Sequence, residues 1–326
     1  MNICLVTPAP AGSRTGNRTT ALRWAGLLED LGHETRIAVD YAGEDVDVMV
    51  ALHAWRSAAS IARFHALYPD RPLIVALTGT DLYRDLERHK DAVLRAFDQA
   101  DVLIGLHDLV ADALPERYRD KLAVIHQSAQ PASATVAKRD DRFEVVVVGH
   151  LRDEKDPLLT AAAASLLPAR SRLAVVHLGR AHTPEWAARA HAEMARNPRY
   201  EWLGEVSGPE VGAWLSRARL MVLTSVMEGG ANVISEAIVA GLPVLSSRID
   251  GSVGLLGRDY PGYFRIGDTK ALADLLERAE TAPSFLPGLL RHGADQAPKF
   301  AVAQEREQWK RVLERAVDAN LARAEL

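Results

Sequence analysis

The pattern of apolar and polar positions along the chain predicts an α/β protein. Short runs rich in Val, Ile and Leu alternate with longer segments in which apolar residues recur at helical spacing. Buried parallel strands read as continuous apolar runs, and the helices that cover both faces of the sheet lie between them. The sequence therefore predicts doubly wound parallel sheets.

Two groups of strands are predicted, one in each half of the chain. The first group covers residues 3–7, 34–39, 46–52, 73–77, 102–106 and 122–125. The second group covers residues 145–148, 173–178, 201–203, 220–224, 243–246 and 263–266. Residues 127–141 between them are polar and small, which is the composition of an interdomain linker.

The length of 326 residues favours two hydrophobic cores over one. We expect a first Rossmann-like domain over residues 1–135 and a second over residues 142–298. Residues 299–326 are expected to form a C-terminal helix that crosses back to the first domain. Trp24 lies on an apolar helical face, so it is a core residue by this pattern rather than a ligand platform.

Composition and charge remove several classes of function. A net charge of −4 lacks the basic excess that nucleic-acid binding needs. The single cysteine, Cys4, allows neither an internal disulfide nor a cysteine zinc cluster. The chain lacks a signal-peptide pattern and an apolar run of about 18 residues, so we expect a cytoplasmic protein without a membrane partner.

Two carboxylates eight positions apart mark the most informative segment. Glu228 follows the apolar run at residues 220–224, and Glu236 would lie one turn into the next helix. Carboxylates accept hydrogen bonds from vicinal hydroxyls, so the pair suits two sugar rings. The glycines between them allow close backbone approach at a helix start that attracts phosphate. The alternative is a solvated pair of glutamates.

A glycine turn followed by basic residues comes after the strand at residues 145–148. Gly149, Arg152 and Lys155 lie in this turn, which suits a diphosphate. The alternative is a pair of surface cations without a ligand. A second glycine-containing loop, after the first strand, carries Arg14 and leads into a helix through Gly16, Asn17 and Arg18. Such a loop suits a small oxyanion.

Two further polar residues follow strands of the first half. His53 and Asp81 would lie at the carboxyl edge of the sheet, where α/β proteins place their sites. A packing histidine and a helix N-cap are the alternatives. Asp45 and Asp47 resemble a metal-binding Asp-any-Asp pair but precede a strand, so we expect no metal site and no cofactor.

The segment that begins at Glu228 and continues as EAIVAGLPV resembles the donor-binding signature of GT-B glycosyltransferases related to sucrose and mannosyl transferases. The resemblance implies two Rossmann-like domains facing a cleft, an N-terminal one for the acceptor and a C-terminal one for the nucleotide-sugar. It implies that Glu228 contacts the hexose, Glu236 the ribose, and that Lys155 neutralises the leaving diphosphate. In this chain, however, Gly230 and Ala231 replace the usual Phe-Gly, and His150 replaces the usual Arg.

The full set of implied contacts follows from this resemblance. The nucleotide-sugar would contact Gly149, Arg152, Lys155, Glu228, Gly229, Gly230, Ala231, Asn232 and Glu236. The catalytic candidates are Lys155, Arg152, Glu228, His53 and Asp81. The acceptor would contact Arg14, Gly16, Asn17 and Arg18.

Several segments, among them LHAWRSA, LTGTDLYRDL and GHLRDEKDP, resemble the selenosugar synthases of selenoneine biosynthesis. That family joins selenophosphate to a UDP-sugar, typically UDP-N-acetylglucosamine, and releases UDP and phosphate. The resemblance implies a UDP-sugar donor and selenophosphate, a small oxyanion, as the acceptor. Two rival interpretations stay open: an ordinary glycosyltransferase acting on a hydroxyl, and a non-catalytic nucleotide-sugar sensor.

Overall fold

A computed structural model describes residues 1–131 and 136–324 of the chain. It contains two compact units, Met1–Gln127 with Val302–Leu326, and Ser128–Ala301. The predicted linker at residues 127–141 lies partly outside the described residues, since it includes residues 132–135. Within the described ranges, no helix combines the length and the apolar character needed to cross a membrane.

The first unit is built on a six-stranded sheet in the order β2-β1-β3-β4-β5-β6. All neighbouring strands are parallel, and Leu5 pairs with Ile37 on one side and Val50 on the other. The strands are Asn2–Val6 (β1), Glu34–Ala38 (β2), Val48–Leu52 (β3), Leu73–Ala76 (β4), Val102–Gly105 (β5) and Leu122–Val124 (β6).

The second unit has a parallel six-stranded sheet of its own, in the order β12-β11-β10-β7-β8-β9. Its strands are Phe143–Val148 (β7), Leu173–Leu178 (β8), Tyr200–Trp202 (β9), Leu220–Leu223 (β10), Val244–Ser247 (β11) and Tyr263–Phe264 (β12). The central strands β7 and β10 are almost wholly buried, as expected for a sheet covered on both faces. The predicted α/β class with two doubly wound parallel sheets is confirmed.

Helices connect the strands and cover the sheets. The α-helices are Gly16–Asp30 (α1), Ala58–Leu67 (α2), Leu86–Arg88 (α3), Lys90–Gln99 (α4), Val110–Ala113 (α5), Leu159–Ser165 (α6), Pro184–Arg196 (α7), Gly208–Arg217 (α8), Asn232–Val239 (α9), Asp250–Leu256 (α10), Thr269–Thr281 (α11), Phe285–Gln296 (α12) and Val302–Ala324 (α13). A π-helix at Asp81–Asp85 precedes α3. Short 3₁₀ turns lie at Glu116–Lys121, Asp153–Lys155 and Ala297–Phe300.

The C-terminal helix α13 packs in the first unit. Trp309 and Trp24 are fully buried and meet edge to face, with ring centroids 4.8 Å apart. Glu305 is also fully buried, where it accepts a hydrogen bond of 2.8 Å from the Trp24 indole and pairs with Arg23 at 3.2 Å. A charged residue is tolerated at this depth because its oxygens are paired.

Candidate functional site

The sheet topology of each unit locates one crevice. In the second unit the chain leaves β7 toward β8 and β9, then returns to the other side of β7 to form β10 and its successors. In the first unit the order reverses in the same way between β1 and β3. Ligands of open α/β sheets bind at the carboxyl ends of the strands on either side of such a reversal.

In the second unit the crevice brings Lys155 and Glu228 together. The Lys155 ammonium forms an ion pair with Glu228 Oε1, and Ser225 donates a hydrogen bond of 2.6 Å to the same oxygen. Both charged side chains keep a partly exposed surface, 19% for Lys155 and 12% for Glu228. The structure therefore joins the two predicted motifs into one charged pair beside solvent.

Backbone contacts hold the two loops that carry this pair. Thr224 Oγ1 donates to the Lys155 carbonyl at 2.7 Å, and the Val226 amide donates to the Glu154 carbonyl at 2.9 Å. A Cβ on Gly251 would lie 2.4 Å from the Glu228 carbonyl oxygen, so only glycine fits where α10 begins beside Glu228. The sequence does not predict Thr224, Ser225 and Gly251 as site residues. The contacts of Thr224 and Gly251 join segments that are distant along the chain, whereas Ser225 lies only three residues before Glu228.

The segment between the two glutamates leads into α9. Gly229, Gly230 and Ala231 precede the first helical residue, Asn232, and the helix start has no side-chain hydrogen bond from the N-cap Ala231. The first backbone N–H groups of a helix attract anions and polar hydroxyls. Glu236 lies one turn further along and is partly exposed. This arrangement agrees with the expected turn and helix.

The loop after β7 places basic groups around His150. The His150 ring accepts a hydrogen bond of 3.2 Å at Nδ1 from the backbone amide of Arg180. Burial, together with the neighbouring His182, Arg180, Arg152 and Lys155, lowers the pKa of His150 to about 4. The imidazole is therefore neutral near pH 7. Arg152 Nε lies 3.8 Å from a Glu154 oxygen.

The first unit places its predicted acceptor residues at the start of α1. Gly16 is the first helical residue, with Asn17 and Arg18 after it in the first turn. Arg14 is exposed on the preceding loop, and Arg18 is half-buried with its Nε lacking a hydrogen-bond partner among the described residues. They lie in the loop that follows β1 and in the first turn of α1.

His53 and Asp81 form a buried pair in the first unit. His53 Nδ1 lies 2.7 Å from Asp81 Oδ1, and the backbone at His53 has a φ of 76° in the left-handed region. The Asp81 carboxylate also accepts hydrogen bonds from the backbone amides of Ala54 at 3.1 Å, Trp55 at 3.1 Å and Thr78 at 2.9 Å. Asp81 therefore fixes the loop after β3 in place.

The other ring nitrogen of His53 faces two polar groups. Nε2 lies 3.1 Å from Thr80 Oγ1 and 3.8 Å from Asp85 Oδ2. The ligand atoms of His53, Asp81 and Asp85 all lie within 4.8 Å of one another, which is the spacing of a metal site. Because the backbone amides already occupy the Asp81 oxygens, this cluster is organised to hold the loop, and its strained backbone is stabilised by that network.

Comparison with known proteins connects the fold to a group of enzymes. Residues 121–281, almost half of the 326-residue chain, match the family model described as glycosyl transferases group 1. The matched range contains the Lys155 and Glu228 loops.

Several solved structures share the fold. HepE of Anabaena, in complex with UDP and glucose, aligns with a TM-score of 0.76 at 15% identity, covering 96% of this chain and 99% of HepE. Sucrose-phosphate synthase of Thermosynechococcus elongatus aligns with a TM-score of 0.80 at 14% identity, covering 98% of this chain and 99% of that one. At such identities the likeness shows the fold alone. The chain therefore has the GT-B fold, and residues 121–281 are related by sequence to the glycosyl transferases group 1.

Proposed function

We propose that this protein transfers a sugar from a UDP-sugar to selenophosphate, giving a 1-selenosugar. The observation that carries the proposal is the Lys155–Glu228 pair at the β7–β10 crevice, where a cation and a hydroxyl acceptor meet beside a helix start. The UDP complexes of HepE support the choice of nucleotide, since that protein shares the fold. The resemblance of the sequence to selenosugar synthases supports the acceptor.

In this proposal the second unit binds the donor. The Glu236 carboxylate accepts hydrogen bonds from the ribose hydroxyls, and Glu228 accepts them from the hexose. The N–H groups at the start of α9 hold a phosphate. We propose UDP-N-acetylglucosamine as the preferred donor, again from the resemblance to the selenosugar synthases.

The chemical step needs stabilisation of the leaving group more than a base. The selenium atom of selenophosphate attacks C1 of the sugar, a C–Se bond forms, and the C1–oxygen bond to UDP breaks. Lys155 and Arg152 would stabilise the negative charge that develops on the diphosphate. Water then cleaves the Se–P bond, which releases phosphate and leaves the selenol on the sugar.

The first unit is proposed to bind the acceptor. Arg14 and Arg18 are cations beside the start of α1, where Gly16 and Asn17 contribute backbone N–H groups. Guanidinium groups bind the oxygens of phosphate-type anions with two parallel hydrogen bonds. A trianion such as selenophosphate would therefore be attracted to this loop. His53 and Asp81 position the neighbouring loop after β3.

Mass spectrometry of the reaction products tests the proposal directly. Purified protein is incubated without oxygen with UDP-N-acetylglucosamine and freshly made selenophosphate, beside controls without enzyme and without selenium. The expected product is a hexosamine that carries the isotope pattern of selenium, together with UDP. UDP binding without this product would contradict the selenium acceptor and leave a glycosyltransferase of another acceptor. Failure to bind UDP would overturn the donor site as well.

A further inference from the structure

The loop that follows β8 is joined to the loop that follows β7. Leu151 and Ala181 form a parallel bridge, in which the Leu151 amide donates to the Arg180 carbonyl at 2.9 Å and the His182 amide donates to the Leu151 carbonyl at 3.0 Å. A Cβ on Gly179 would lie 2.1 Å from the Gly149 carbonyl oxygen. The two loops therefore touch through their backbones and present their side chains as one surface.

This surface brings three nitrogen donors together. The His150 and His182 rings lie with their centroids 5.5 Å apart, and the backbone amide of Arg180 donates a hydrogen bond to His150. Since Nδ1 of His150 accepts the Arg180 amide, the ring proton of His150 lies on Nε2, where it can be donated to a ligand. Arg180 and His182 are exposed. The group thus offers a fixed imidazole donor and two accessible basic side chains.

The charges near this group favour an anion. Arg152 and Lys155 are close enough to affect the protonation of His150, as Arg180 and His182 are. Two acids of the crevice lie beside cations: Glu228 pairs with Lys155, and a Glu154 oxygen lies 3.8 Å from Arg152 Nε. Phosphoryl oxygens accept paired hydrogen bonds from a guanidinium group and single ones from an imidazole N–H.

We propose that His150, Arg180 and His182 form a subsite for phosphoryl oxygens, next to the crevice that holds Lys155. The proposal rests on the proposed function in one respect, the binding of a nucleoside diphosphate by the second unit. The phosphoryl oxygens come either from the β-phosphate of that nucleotide or from a separate phosphate-type anion that binds beside it.

The test compares a double variant with a matched control. Arg180→Ala combined with His182→Ala removes the two exposed donors, while Arg170→Ala removes one exposed arginine before β8, at the amino end of the same strand. Each protein is titrated calorimetrically with UDP and with uridine. Inorganic phosphate is then titrated into each protein, with and without saturating UDP, and followed by phosphorus NMR. Thermal unfolding verifies that all three proteins are folded.

Two results would support the subsite and identify the source of the phosphate. A loss of about tenfold or more in UDP affinity, with uridine binding unchanged, means that the subsite binds the nucleotide β-phosphate. A similar loss in the affinity for inorganic phosphate on UDP-loaded protein means that it binds a separate anion. Arg170→Ala is expected to match the wild type in every titration.

Other results would contradict the subsite or the proposed function. If the double variant binds UDP and inorganic phosphate as the wild type does, the subsite is wrong although the donor site stands. If the wild type does not bind UDP, the proposed function fails. The phosphate titration without UDP then still tests the subsite. A phosphate affinity that is unchanged in the double variant overturns the subsite.

Discussion

Each unit contains a six-stranded parallel sheet, but the two units use the polar groups at the carboxyl ends of their strands differently. In the first unit the His53–Asp81 pair is buried, with side-chain exposures of 3% and 0%, and its atoms bind one another and the backbone. In the second unit the Lys155–Glu228 pair remains partly exposed, at 19% and 12%. The carboxyl edge of the sheet thus carries a structural network in the first unit and partly exposed charges in the second.

This difference separates the polar residues at a sheet edge that stabilise the fold from those that are accessible to a ligand. The Asp81 carboxylate accepts hydrogen bonds from backbone amides of two loops. Without it, these amides would lose the acceptor that they have in the fold. Glu228 is bound by the side chains of Lys155 and Ser225, which can rearrange around a ligand. Removing the first carboxylate should mainly affect stability, and removing the second should mainly affect activity.

The largest effect is expected for Asp81→Ala. The substitution leaves His53 and several buried amides without an acceptor, which should lower the free energy of unfolding by about 4 kcal/mol. Urea unfolding, followed by circular dichroism, measures this. Glu228→Gln is the counterpart in the second unit, with an expected change below about 1 kcal/mol. Equal losses of stability in both variants would remove the contrast between the units.

The next largest effect is expected for Lys155→Ala, on turnover. Loss of a preorganised cation at a leaving diphosphate should lower kcat about 100-fold while the protein stays folded. Release of UDP from the UDP-sugar, measured by chromatography, gives the rate. Lys270→Ala is the control, since Lys270 is an exposed lysine of the same unit that pairs with Asp274 on α11. A Lys155→Ala protein with the turnover of the control would refute the assignment.

Acid should weaken both units through their buried histidines. Burial lowers the pKa of His107 in the first unit and of His177 in the second, each to about 4. The unfolded chain then binds more protons than the folded one between pH 6.5 and pH 4, so stability falls as the pH decreases through this range.

The buried His177 allows a direct measurement of this dependence. It should account for a loss of about 2 kcal/mol between pH 7 and pH 5. Unfolding free energies of the wild type and of His177→Gln at these two pH values test this. The variant is expected to depend less steeply on pH, and identical slopes would show that His177 does not contribute.

The smallest effect is expected for Glu236→Ala. Loss of one carboxylate acceptor for the ribose should weaken UDP binding about tenfold without a change in unfolding temperature. Calorimetric titration with UDP measures the affinity. Glu277→Ala, at a partly exposed glutamate that pairs with Arg170, controls for the loss of negative charge in the same unit. An unchanged UDP affinity for Glu236→Ala would place the ribose elsewhere.

The sequence predicts the strands well because each one is a short, continuous apolar run. All twelve predicted strands are found, with boundaries that differ by at most two residues, and the C-terminal helix expected within residues 299–326 is observed as Val302–Ala324. Runs such as residues 173–178 sit between Gly, Pro and polar residues, which limits where a strand can begin and end.

The site is only partly predictable because several of its contacts join segments far apart in the chain. Glu228 and Lys155 were predicted as site residues, and their ion pair became visible only with the fold. The need for glycine at Gly179 and Gly251 depends on backbone approach from another loop, which no local pattern reveals. The roles of Lys155, Glu228 and Glu236 in binding and catalysis stay predictions until they are measured.

The backbone contact between Gly179 and Gly149 has a consequence for engineering this protein. A graft at residues 149–156 has to keep the backbone position of residue 149, because its carbonyl oxygen packs against Gly179. Both loops, residues 149–156 and 179–183, would have to be replaced together. Libraries that vary both loops together, with Gly179 held constant, should therefore yield more folded clones than libraries that vary either loop alone.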